Sequence, residues 1–157
     1  MMISNAFYRK CFSLYLVVVF LSAPSSVNAQ SVYEPTAQAA ELNKRGEEFL
    51  NNRAYAEAAK QFRKALAIDP NYEVALRNLG TAQEALGKDE LAAGTLQKAI
   101  KIAPDDAIAL NGLGHAYFHQ NKYQESADAY KKAIAIHDSY PEPWNGLGAA
   151  LLKLGKT

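Results

Sequence analysis

His115 and His119 lie four residues apart, so a helix would bring both imidazoles to one face, a spacing that can hold a zinc ion. The motif goes no further. Ala116 rather than a glutamate follows His115, which leaves no hydrolytic base, and a catalytic zinc needs a third protein ligand from elsewhere. Ser126 and Ser139 have neither a glycine elbow nor a histidine placed by local sequence to activate a hydroxyl. Gly155-Lys156-Thr157 matches the end of a phosphate-binding loop, but it follows helix-spaced leucines instead of opening a helix after a strand. The sequence therefore points away from an enzyme, and neither a metal nor a cofactor is expected. A histidine-based metal-binding protein is the minor alternative.

A different set of polar residues recurs with regular spacing. Asn43, Arg77, Asn111 and Asn145 are each 34 residues apart. Asparagine amides both donate and accept, as the unpaired backbone of an extended peptide requires. Glu47, Thr81, Glu84, His115 and Phe118 fall on the same helical faces. Together these nine residues form the expected binding groove for a peptide or partner protein. The competing reading is that the amides bond only to neighbouring helices or water.

The element that would carry them repeats. Gly46, Gly80, Gly114 and Gly148 share the 34-residue interval, as do Leu42, Leu76, Leu110 and Trp144, and Ala65, Ala99 and Ala133. Ile68, Ile102 and Ile136 keep the register too, with Ile136 expected in the core. A period of this length, built from two helical patterns and a turn, makes a helix pair that must stack on its neighbours to bury its apolar face. Within each pair, glycine on the first helix allows close approach, and small, large and small residues on the second interlock with it. Asn71, Asp105 and Ser139 are the expected N-caps of the following helices, Ser139 with Glu142 as a capping box, and Thr36 is the expected first cap. Gly87, Asn121 and Gly155 stand where a left-handed C-cap is needed, and Arg53 is the exception there.

This pattern resembles the tetratricopeptide repeat family. Unit 39–72 carries Leu42, Gly46, Phe49, Tyr55, Ala58, Phe62, Ala65 and Pro70. Unit 73–106 carries Leu76, Leu79, Gly80, Ala92, Leu96, Ala99 and Pro104. Unit 107–140 carries Leu110, Leu113, Gly114, Tyr117, Tyr123, Ser126, Tyr130 and Ala133, and a partial unit 141–157 carries Trp144, Leu147, Gly148 and Leu151. Arg45, Gln83, Ser126 and Asp138 depart from the pattern. The resemblance implies an all-α, right-handed solenoid of antiparallel helix pairs over 37–157, with the first helices lining a concave groove. Relatives that hold chaperone C-termini use lysines, an arginine and asparagines as a two-carboxylate clamp. Asn78 matches one of those asparagines, whereas Asn43, Glu47, Ile108 and Gly112 replace clamp residues, so the ligand implied here does not depend on a terminal carboxylate.

Composition limits the remaining classes. The 17 Lys+Arg against 16 Asp+Glu leave a net charge of +1, without the basic surplus that nucleic-acid binding draws on. Lys60, Lys64, Lys98, Lys131 and Lys132 on the second helices read as a solvated outer face. Residues 1–29 have the form of a secretory signal: Arg9-Lys10, an uncharged apolar run to Ser22, and small residues at Val27 and Ala29 before Gln30. The apolar run is short of the roughly 20 residues of a spanning helix. Cleavage would remove the sole cysteine, Cys11, leave a short lead at 30–36, and take the formal charge to −1. The expected location is outside the cytoplasm: periplasmic in a bacterium, secreted otherwise.

Trp144, Leu147, Leu151 and Leu154 form one stripe on the partial unit, expected as an apolar end open to a partner or a second copy. The combined expectation is a noncatalytic, exported module that binds a protein or peptide in its groove. The alternative is an oligomerising scaffold that binds through this C-terminal helix.

Overall fold

A computed structural model describes residues 34–155, of which those from Pro35 onward belong to the compact unit Pro35–Thr157. The secretory-signal segment lies outside the described residues. Among the described residues seven helices follow one another: α1 (Ala37–Asn51), α2 (Tyr55–Ile68), α3 (Glu73–Ala85), α4 (Asp89–Ile102), α5 (Ala107–His119), α6 (Tyr123–Ile136) and α7 (Pro141–Lys153). They pair antiparallel as α1/α2, α3/α4 and α5/α6, and each pair packs on the next, with α7 on α6. Among the described residues no helix is long and apolar enough to cross a membrane.

The turn inside each pair is made the same way. Arg53, Gly87 and Asn121 sit at φ 58°, 68° and 59°, in the left-handed region. In the first turn Arg53 N–H donates to Leu50 O at 2.9 Å and Ala54 N–H to Phe49 O at 2.8 Å. The same two bonds recur at Gly87/Lys88 and Asn121/Lys122, closing each first helix with a Schellman motif. Arg53 is the costly member, since a Cβ crowds the backbone in this conformation. Arg53→Gly is expected to raise stability by about 0.5–1 kcal/mol, read as a higher urea midpoint at unchanged slope.

The helix pairs interlock through glycine. A Cβ at Gly80 would stand 2.5 Å from Leu96 Cγ, and one at Gly114 2.5 Å from Tyr130 Cε1; Gly46 meets Phe62 in the same way. Phe62, Leu96 and Tyr130 are fully buried, flanked by Ala58/Ala65, Ala92/Ala99 and Ser126/Ala133. Ser126 belongs to this packing: its hydroxyl donates to Gly114 O at 2.8 Å. Tyr130 is held on a second side by Gly146 of α7, a contact that the repeat pattern did not disclose.

Two expectations are corrected. Asn71, Asp105 and Ser139 do not cap helices; the caps are one residue later, at Tyr72, Asp106 and Tyr140, and of these only Asp106 uses its side chain. The earlier residues serve the turn instead: Asn71 N–H donates to Asp69 Oδ1, and Ser139 Oγ pairs with His137 Nε2, so the Ser139/Glu142 capping box does not form. Thr36 does cap α1, accepting from Ala39 N–H at 3.3 Å. Ile136, with Ile68 and Ile102, is exposed rather than core. Each isoleucine falls in the last turn of its helix, beyond the reach of the preceding first helix.

Lateral contacts set the curvature. Each first helix touches its counterpart in the next unit, α1 with α3, α3 with α5 and α5 with α7, whereas among the described residues no second helix touches another second helix. Closer spacing on one side bends the stack toward that side, so the first helices line the inner face. Lys60, Lys64, Lys98, Lys131 and Lys132, all on second helices, are exposed on the outer one.

Candidate functional site

The inner face is built from α1, α3, α5 and α7. Its four-residue polar row is not uniformly open. Asn43 and Asn111 are buried, at 4% and 8% exposure, and Asn145 is exposed. Asn43 Nδ2 donates to Glu47 Oε1 at 2.9 Å, and Asn78 Nδ2 donates to Asn43 Oδ1 at 3.2 Å and to Glu47 Oε1 at 3.0 Å. Arg77 Nη1 reaches Asp106 Oδ2 at 2.9 Å and Glu73 Oε1 at 3.4 Å. Asn111 Nδ2 donates to Tyr140 Oη at 3.3 Å.

Each of the three buried or half-buried members therefore reaches forward to the next first helix or its N-cap: Asn43 to Asn78, Arg77 to Asp106, Asn111 to Tyr140. The row stitches first helices together. Asn145 has no following unit among the described residues and stays open. Asn111 Oδ1 is the one atom of the row left buried without a hydrogen-bond partner among the described residues.

Asp106 is the junction of this network. Its Oδ1 accepts from Ile108 N–H and Ala109 N–H, each at 3.0 Å, capping α5. Burial raises its pKa, but hydrogen bonds with Glu73, Ala109 and Arg77 outweigh burial and hold it below the ordinary carboxylate value. Glu73 moves the other way, pushed up to about 7 by burial and by its hydrogen bond to Asp106. Side by side beneath one guanidinium, the two carboxyls are driven apart, Asp106 down and Glu73 up.

Beyond the stitched row lie the groups that solvent reaches. Thr81 is exposed, its hydroxyl donating to Arg77 O at 3.2 Å. Glu84 extends over Gly112, where a Cβ would come within 3.8 Å of its Oε2. Its Oε1 lies 3.9 Å from His115 Nδ1. Burial, with Asp89 adding and His119 opposing, pushes the Glu84 carboxyl up to about 7. His115 stands edge-on to the Tyr130 ring at 5.5 Å, and burial and then His119 lower its pKa. Phe118 is half-buried against the Ala127, Tyr130 and Leu147 cluster and meets Tyr123 edge-on, so it walls the groove more than it projects into it.

The two histidines are drawn to different carboxylates: His115 to Glu84, and His119 to Asp89 at 3.1 Å. Among the described residues no three His, Cys, Asp or Glu side chains are placed to share a metal ion.

Glu84 makes a pH prediction. A carboxyl whose pKa is higher folded than unfolded binds its proton more tightly in the folded state, so stability is full below about pH 4.5 and is lost as pH rises through about 7. With 23% of the side chain still in water, the loss is on the order of 1–2 kcal/mol. Glu84→Gln should flatten urea midpoints between pH 5 and pH 8, most visibly by stabilising the protein at the upper end.

On α7, Leu147 is buried and Leu151 and Leu154 are half-buried, packed on Ala127, Tyr130 and Ala150. Of the four-residue stripe expected to be open, only Trp144 is largely exposed, at 52%, its Nε1 donating to Asp138 O at 2.9 Å. Leu152, outside that stripe, is 68% exposed.

A tetratricopeptide repeat profile matches residues 49–116, and a TPR repeat profile matches residues 114–155. Among solved structures, the Sgt2 TPR domain from Aspergillus fumigatus is 27% identical at a TM-score of 0.74, over 78% of this chain and 82% of that one. The first TPR of Spaghetti (RPAP3), bound to the HSP90 peptide SRMEEVD, is 23% identical at 0.73, over 75% and 94%. MamA from Desulfovibrio magneticus RS-1 is 24% identical at 0.71, over 75% and 67%. No curated protein matches the sequence. With the repeat glycines, the Schellman turns and the two contiguous profile matches in agreement, the chain belongs to the tetratricopeptide repeat family.

Proposed function

We propose that this protein is a noncatalytic, exported interaction module that holds a segment of a partner protein along the inner face of its helix stack. The observation that carries the reading is the lateral contact of α1, α3, α5 and α7, which makes one continuous inner surface with Thr81, Glu84, His115 and Asn145 reachable from solvent. A similar fold, the first TPR of Spaghetti, holds a peptide, which supports use of the fold in this way. The partner chemistry differs, because the face here presents Glu47 and Glu84, while its one arginine, Arg77, is engaged by Glu73 and Asp106. Such a face favours a neutral or basic segment over an acidic terminus. Export rests on the Arg9-Lys10, apolar and small-residue succession before Gln30.

Thr81→Lys with Asn145→Lys adds two bulky cations to exposed inner positions without touching the stitched row. Partner affinity should fall at least about tenfold, while circular dichroism and melting temperature stay unchanged. Equal affinity of parent and double variant would place the contact elsewhere.

A further inference from the structure

The carboxylates of the inner face differ in what holds them. Glu47 accepts from Asn43 and Asn78, and Glu73 and Asp106 flank Arg77. Glu84 has no such partner: among the described residues no side chain donates a hydrogen bond to it, and no lysine or arginine pairs with it. The one basic group within reach, His115 Nδ1, stands 3.9 Å away, too far for a hydrogen bond. Burial and then His119 hold that imidazole below its ordinary pKa, so it supplies no full positive charge at neutral pH. A half-buried carboxylate with neither donor nor counter-charge, on a face that solvent reaches, is a vacancy that a cation relieves.

Register describes the rest of the occupant. Leu50, Glu84 and Phe118 are spaced 34 residues apart, and each is the last residue but one of its helix, α1, α3 or α5. These helices touch side by side in that order, so the three positions form a row across the stack, an acid between two half-buried apolar groups. The carbonyl ends of the helices carry partial negative charge and add to the attraction for a cation. Packed helices lie about 8–10 Å apart, and a polyproline II segment advances about 9 Å in three residues, returning the same face each time. We propose that Glu84 anchors a lysine or arginine of an extended partner segment, which lays apolar side chains three residues to either side of it against Leu50 and Phe118. The ligand class is then apolar-x-x-basic-x-x-apolar. This assignment rests on the inner-face reading and narrows its ligand. A bare metal ion is the poorer occupant, because among the described residues no three His, Cys, Asp or Glu side chains are placed to share one.

Random dodecapeptides displayed on phage are selected at pH 7.5 on the protein from Gln30, which includes the whole compact unit Pro35–Thr157. The consensus should carry a lysine or arginine with apolar residues three positions before and after it. A synthetic consensus peptide should bind Glu84→Gln at least about tenfold more weakly than the parent, although the urea midpoint of that variant is no lower. Replacing the basic residue of the peptide by glutamine should cost the parent the same factor and Glu84→Gln little, as a directly paired charge requires. From pH 7.5 to pH 5.5 the parent should lose about tenfold in affinity as Glu84 takes up its proton, and Glu84→Gln less. Asp89 of α4, His115 and His119 of α5 and Tyr130 of α6 face Glu84 and are common to both proteins, so their difference reads Glu84 itself. A consensus without a basic residue, failure to select any peptide, or equal binding to parent and Glu84→Gln would overturn the proposal. If peptides that ignore Glu84→Gln are lost on the Thr81→Lys/Asn145→Lys variant, the anchor is wrong and the inner face stands; if neither variant matters, both readings fail.

Discussion

Gly114→Val should destabilise the protein by about 3 kcal/mol or more, whereas Gly148→Val, the same change one repeat later, should cost nothing measurable. The helical environments are alike; the difference is what the new side chain meets. A Cβ at Gly114 stands 2.5 Å from Tyr130 Cε1, and that ring cannot retreat, because Gly146 of α7 abuts its other side. Tyr130 is 1% exposed, so moving it opens the α5–α6–α7 junction. At Gly148 no atom lies within 4 Å. Urea unfolding followed by circular dichroism checks both, and a similar loss in the two variants would show that helix backbone, not the notch, governs the effect.

Asp106→Ala should cost about 2–4 kcal/mol, which is large for one polar side chain. Three tasks end together. The first turn of α5 loses the acceptor for Ile108 and Ala109 N–H, typically about 1 kcal/mol. Arg77 loses its 2.9 Å partner at a position where the Asp106 side chain is only 8% exposed, and Glu73 loses its hydrogen bond to that carboxyl. Asp106→Asn retains the cap but not the charge, so about half the loss should remain. Equal melting temperatures for the two variants would assign the whole effect to the charge.

The fold was largely legible because its determinants are local and periodic. Glycines recurring every 34 residues mark the notches, and left-handed turn positions fall where glycine or asparagine recurs. The caps were missed by one residue because Asn71, Asp105 and Ser139 are turn formers next to the true boundary, and two of the true caps, Tyr72 and Tyr140, lack the side-chain bond that makes a cap recognisable. The polar row was found but not its use. Residue type and period show that Asn43, Arg77 and Asn111 share a face; they do not show that Asn78, Asp106 and Tyr140, on or capping the following first helix, reach back to them. Only the offset between successive first helices brings those partners together. Glu84 gained its raised pKa in a similar way, from its place over Gly112 on the neighbouring helix.

The central claim is that a partner lies along the inner face. A photoreactive amino acid is placed singly at Thr81, His115 and Asn145 on that face, and at Lys64, Lys98 and Lys131 on the outer face, in the exporting cell. The account predicts adducts to one common protein from the inner positions and none of that species from the outer ones. Adducts from the outer lysines alone, or to no common protein from the inner positions, would contradict it.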